Sequence, residues 1–198
     1  MSTAHRLSPI SQEDYLAGEE IAARRHEYVN GAIYAQAGGS NAHNLIASNT
    51  QGLLFTQLRG KPCRAFNSDT KIRIRSADDV RFYYPDAVVI CEPNPPSDTF
   101  QDAPKAIFEV TSPSTRRVDQ GEKRDAYLKI ESLEYYVILD QDSPSAVVYQ
   151  QNEAGFTPTV LDGLDQSLKL EALDCSLRLA DIYDGVVFTA ADSEEVDG

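Results

Sequence analysis

The sequence predicts a mixed α/β fold, a central mixed sheet flanked by helices, and three patterns predict it. Apolar, β-prone runs crowd the middle of the chain, from CRAFN at 63–67 to AVVYQ at 146–150. Two helical stretches precede most of them, and a third, DQGEKRDAYLKIES, separates two of the strongest runs. Strands interleaved with helices bury their apolar faces as a sheet covered by helices. A length of 198 residues fits a single domain over 1–198, with a core at about 10–180 and an acidic tail at about 188–198.

The elements follow in order. SQEDYLAGEEIAARR reads as a helix with Ser11 as N-cap and acids in its first turn. HEYVNGAIYAQ holds two β-prone runs around Asn30-Gly31, a hairpin signal. In SNAHNLIASNTQGLLFTQLRG, Leu45, Ile46, Leu53, Leu54 and Leu58 recur at roughly helical spacing, and Gly60 ends the run. CRAFN and KIRIR read as strands. In the second, Lys71, Arg73 and Arg75 alternate with apolar residues, which predicts one wet face and a candidate surface for a nucleic-acid backbone.

YYPDAVVIC and KAIFEVTS are two further strands, joined by the proline-rich EPNPPSDTFQDAP. SPST then reads as a turn or cap before the third helix. LEYYVIL and AVVYQ are strands linked by a turn at 142–144. A weaker strand at 156–161 and a closing helix in LRLADIYDGVV complete the order.

Composition narrows the function classes. Eighteen basic residues face 31 acidic ones, for a net charge of −13. The acids are uneven: from Gln151 onward eleven of them face only Lys169 and Arg178. The remainder is mildly acidic, so global charge neither supports nor excludes a polyanionic substrate. There is no run of about 18 apolar residues, and the N-terminus lacks the apolar core of a signal peptide, so no membrane partner is expected. Cys63, Cys91 and Cys175 are odd in number, far apart and outside any CxxC, which reads as a reducing cytoplasm without a zinc knuckle.

Chemistry concentrates in the two acid-bearing strands. Asp86 opens one, and Glu109 sits between Phe108 and Val110 in the other. An unpaired carboxylate in such a run is costly, so it implies a partner or a metal. Hydrolysing a phosphodiester needs a divalent ion to neutralise charge and activate water. Magnesium prefers carboxylate and carbonyl oxygens, and Asp86, Glu109 and the Val110 carbonyl supply them. Lys123 adds a cation for the phosphate. Asp119, Lys123 and Tyr127 fall at i, i+4 and i+8 on one helical face; a surface ion pair explains Asp119 and Lys123 equally well.

These residues carry a family resemblance. PDAVVIC, APKAIFEVTSPST, then Asp119, Lys123, Tyr127 and EYYVILD resemble the Uma family of restriction-endonuclease-like proteins, within the PD-(D/E)XK nuclease superfamily. The likeness reaches back to HEYVNGAIY and NAHNLIA. It implies a restriction-endonuclease-like core and a Mg²⁺-dependent endonuclease cutting DNA, with Mn²⁺ as a substitute. Asp86 and Glu109 would be its metal-binding acids, with Lys123 and Tyr127 in the catalytic set and Glu27 as an auxiliary acid. A homodimer would suit the cutting of two strands. The chain departs from the superfamily pattern at Thr111, where a lysine is expected two residues after Glu109; Lys123 on the following helix takes its place.

Other residues read more plainly. His43 is expected to be a packed or capping histidine, and Ser114 or Thr115 a helix cap rather than a nucleophile. Arg116, Arg117 and Arg124 line a phosphate groove or solvate the helix. Two rival functions remain: a catalytically inactive nuclease-fold module binding nucleic acid or protein, and an oligomeric scaffold using exposed Tyr-rich strands, RFYYP and LEYYV.

Overall fold

The computed structural model describes residues 9–36, 38–77, 79–111 and 119–188. Helix α1 (Gln12–Ile21) begins where Ser11 accepts a hydrogen bond from the Asp14 amide. Strands β1 (His26–Val29) and β2 (Ala32–Ala35) form the expected hairpin. Asn30 and Gly31 both adopt positive φ, 50° and 89°, as a two-residue turn of this hand requires. Helix α2 (Asn41–Leu58) follows, capped by Ser40.

The main sheet contains β3 (Arg64–Asn67), β6 (Ala87–Ile90), β8 (Pro104–Thr111), β9 (Tyr135–Asp140), β10 (Ser145–Asn152) and β11 (Gly155–Asp162). Its order is β11-β10-β9-β8-β6-β3, with β8 and β9 parallel and the other pairs antiparallel. Parallel neighbours need a crossover, and residues 112–134 supply it. Strand β8 is buried along nearly all its length, so its apolar interior, Ala106 to Val110, is broken only by Glu109.

Each face of this sheet has its own cover. On one, Ile46, Leu54 and Leu58 of α2 pack with Phe108, Val110, Val137 and Leu139. The hairpin of β12 (Ser167–Leu170) and β13 (Cys175–Arg178) joins them, with the short helix α4 (Leu179–Ile182). On the other, Val88, Ile107, Tyr136 and Ile138 meet Ile72, Ile74, Tyr83 and Tyr127. That second cover is largely a second sheet, in the order β2-β1-β5-β4-β7, with β4 (Lys71–Ser76), β5 (Asp79–Tyr83) and β7 (Phe100–Gln101).

The fold is thus mixed α/β with mixed sheets flanked by helices, and the details correct several expectations. The basic residues of KIRIR do not form a uniformly wet face. Lys71 is only 7 % exposed, Arg73 makes a bidentate pair with Asp102, and Arg75 alone stays exposed. The tyrosines of RFYYP and LEYYV are buried, not displayed, because both runs lie within packed sheets. The third helix is short: a π-helical turn at Asp119–Lys123 runs into α3 (Arg124–Tyr127). The closing helix is a strand followed by one helical turn.

The cysteines also differ from expectation. Cys63 and Cys91 form a disulfide, while Cys175 is free and buried. Their separation of 28 residues hides the pairing. The β3–β6 register sets Arg64 opposite Ile90, so one step further places Cys63 across from Cys91.

Candidate active site

Strand register builds the site. Ala87 of β6 pairs with Phe108 of β8, so Asp86, just before β6, and Glu109, within β8, both lie next to that pair. Asp86 precedes the strand, and its carboxylate takes over the role of a ladder partner: Oδ2 accepts the Val110 amide at 2.7 Å. Its Oδ1 lies 3.0 Å from His43 Nε2 of α2. The sequence reading of His43 as a packed or capping residue missed this contact. The available signal was Ser40, whose cap sets His43 in the first turn of α2.

Glu109 is buried on the face opposite α2. The Tyr127 hydroxyl donates to its Oε1 at 3.1 Å, and Lys123 Nζ lies 3.7 Å from the same atom. Burial above all, then the Glu109 charge, holds the Tyr127 phenol well above its ordinary pKa, so it stays a protonated donor. Lys123 also lies 2.7 Å from Glu27 Oε1 and 5.5 Å from the centre of the Tyr83 ring. The β1–β5 register, Tyr28 opposite Phe82, brings Glu27 beside Tyr83 and hence to this lysine. Lys123, Glu27 and Glu109 have side-chain exposures of 11 %, 15 % and 6 %.

The π-helical turn places Lys123 here directly before α3, and Tyr127 follows one turn on. The expected face of Lys123 and Tyr127 therefore forms. Thr111, at the superfamily lysine position, is buried, with its hydroxyl directed at the Leu139 carbonyl at 3.4 Å. Arg124 pairs with Asp125. Ser112, Ser114, Thr115, Arg116 and Arg117 lie outside the described residues, as does the Asp119 side chain.

A cleft of about 650 Å³ opens onto the Asp86 side of the site. Arg24, Arg25, Gln36, Asn44 and Tyr84 line it together with His43 and Asp86. The donor set suits a hard divalent ion, which takes oxygen ligands and keeps several waters. Among the described residues no three His, Cys, Asp or Glu side chains converge as a ready-made cluster. An ion would therefore rely on two carboxylates, backbone and water. Glu27 Oε1 is buried and takes the Lys123 ammonium at 2.7 Å.

A family described as "Putative restriction endonuclease", Uma2, matches residues 12–180. The chain belongs to the Uma2 family. Two uncharacterized proteins of Synechocystis are also similar to this Uma2 chain. One is 33% identical over 180 residues, covering 90% of this chain and 94% of its own; the other is 33% identical over 135 residues, covering 67% and 75%. The crystal structure of a "putative nuclease" from Anabaena variabilis superposes with a TM-score of 0.71 at 18% identity, covering 90% of this chain and 100% of that one. The family is restriction-endonuclease-like, and the fold is shared with the Anabaena protein. Among the described residues, no helix is long and apolar enough to cross a membrane.

Proposed function

We propose that this Uma2 protein is a Mg²⁺-dependent endonuclease hydrolysing DNA phosphodiester bonds, acting as a single domain and as a homodimer when both strands are cut. The observation that carries the reading is the bond from the Val110 amide to Asp86, next to Glu109 on β8, with Lys123 and Tyr127 held against Glu109. Asp86, Glu109 and the Val110 carbonyl would hold the ion. The N–H and C=O of one strand residue project to the same side, and the Val110 N–H meets Asp86, which supports its carbonyl as a ligand.

Bound there, the ion supplies charge neutralisation and a more acidic water. The chain's own residues do the rest. Tyr127 orients the Glu109 carboxylate, and Lys123 presents its ammonium to the phosphate, releasing part of its contact with Glu27. Water adds at phosphorus, the bond to one ester oxygen breaks, and that oxygen leaves as a hydroxyl. Arg24 and Arg25 in the cleft wall neutralise flanking phosphates.

The test is plasmid cleavage with Mg²⁺ or Mn²⁺ by wild-type, Asp86→Asn and Glu109→Gln protein, with circular dichroism confirming the fold. Both variants should lose cleavage. Undiminished cleavage in either would sink the assignment. A wild type that binds DNA yet neither cleaves it nor takes up Mn²⁺ would instead show an inactive nuclease-fold module.

A further inference from the structure

We infer that His43 is a positioning residue that orients Asp86 for metal binding, and that Gly39 exists to let it do so. The inference rests on the reading of Asp86 as a metal ligand.

An ionised carboxylate only accepts hydrogen bonds, so the 3.0 Å contact makes His43 Nε2 the donor to Asp86 Oδ1. The Val110 amide donates to the other oxygen, Oδ2. One donor comes from α2 and one from β8, and together they stop the carboxylate turning about its last torsion. Each oxygen keeps a further lone pair for an ion. Carboxylates that ligate metals are commonly held by such outer hydrogen bonds, and losing one typically costs about 10–100-fold in affinity or activity.

The ring's own placement is built into the chain. Ser40 Oγ accepts the His43 amide at 3.1 Å and donates to Gln141 at 3.0 Å, tying the start of α2 to the end of β9. The imidazole lies against the backbone of Gly39. A Cβ at residue 39 would stand 2.4 Å from His43 Cδ2 and 2.8 Å from Cγ, closer than atoms can pack. Gly39 is not among the glycines with positive φ, so no left-handed backbone requires it. What its missing side chain provides is room for the ring.

The experiment is calorimetric titration of Mn²⁺ into the full chain as wild type, Asp86→Asn, His43→Leu, His43→Gln and Gly39→Ala, with thermal melts alongside. His43→Leu should weaken Mn²⁺ binding about 10–100-fold. His43→Gln, whose amide can donate from nearly the same position as Nε2, should restore most of it. Gly39→Ala keeps the imidazole but pushes it off Asp86, and should lose affinity with little change in melting. Wild-type affinity in His43→Leu or Gly39→Ala overturns the inference, as does loss in His43→Leu without rescue by glutamine. If Asp86→Asn binds Mn²⁺ like the wild type, the reading of Asp86 as a ligand falls first, and this inference with it. If Asp86→Asn loses the ion and His43→Leu does not, the ligand stands and the inference alone is wrong.

Discussion

Replacing Lys123 by methionine tests whether the lysine is a buried clamp or a solvated surface cation. Methionine keeps most of the apolar stem and removes only the ammonium. That ammonium lies 2.7 Å from Glu27 and 3.7 Å from Glu109, and side-chain exposures are 11 % for the lysine and 15 % and 6 % for the acids. Removing one partner of a buried pair typically costs about 3–5 kcal/mol, because the other charge is left uncompensated. Glu27 keeps some contact with water, so the lower end, about 3 kcal/mol, is expected. At a urea m-value of about 2 kcal/mol/M this lowers the unfolding midpoint by about 1.5 M. Glu27→Gln in the Lys123→Met background should recover about half of that loss, since one of the two stranded acids is gone. A double-mutant cycle on urea midpoints measures the coupling. A single variant within about 0.5 kcal/mol of wild type, the size of an exposed pair, or a cycle with no coupling, would refute the buried clamp.

Other outcomes follow from the same contacts. Tyr127→Phe deletes a fully buried donor to Glu109 and should lower stability by about 1.5–3 kcal/mol; an unchanged urea midpoint would count against the contact. Burial raises the phenols of Tyr15, Tyr84, Tyr127 and Tyr183 above the ordinary value of 10.0. Above about pH 10 the unfolded chain releases these protons while the native state keeps them, so stability should fall as pH rises from 10. Urea midpoints that stay level from pH 8.5 to 11 would contradict this. The Cys63–Cys91 bridge closes a separation of 28 residues, which in the chain-entropy treatment contributes about 3–4 kcal/mol. Dithiothreitol should therefore lower the melting temperature of the wild type but not of Cys63→Ser protein, and an equal response in both would exclude the bridge.

Much of the fold was legible because its signals are local. Ser11 and Ser40 mark helix starts through hydrogen bonds within three residues, and Asn30-Gly31 specifies its turn by backbone conformation alone. The acid in KAIFEVTS stood out because an apolar run tolerates no unexplained charge. What sequence could not show depends on register between distant strands. Cys63 meets Cys91, and Glu27 meets Lys123, only after β3 has found β6 and β1 has found β5. The alternation in KIRIR was read as one wet face because its partners, Asp102 and the Phe100 ring, come from distant β7 and the residue after it. His43 looked inert for the same reason: its partner, Asp86, is 43 residues away.

On the proposed reading, in which Lys123 supplies the site's lysine, packing at the end of β8 accounts for its absence from position 111. Position 111 is buried, and its threonine hydroxyl is turned to the Leu139 carbonyl. A lysine there would have to force its stem through packed sheet residues, which costs stability through strain and desolvation. Lys123 approaches from the helical segment instead, along the face that already carries Tyr127. The price is a long stem without the strand to steady it, and Glu27 and the Tyr83 ring hold the ammonium in its place. Its nearer partner is Glu27 rather than Glu109, so on the proposed reading a phosphate would compete chiefly with Glu27. On the proposed reading, Glu27 would hold the ammonium close to the site. Glu27→Gln should consequently tighten Lys123 onto Glu109 and weaken divalent-ion uptake there, and a Glu27→Gln protein that takes up Mn²⁺ better than the wild type would show the opposite balance.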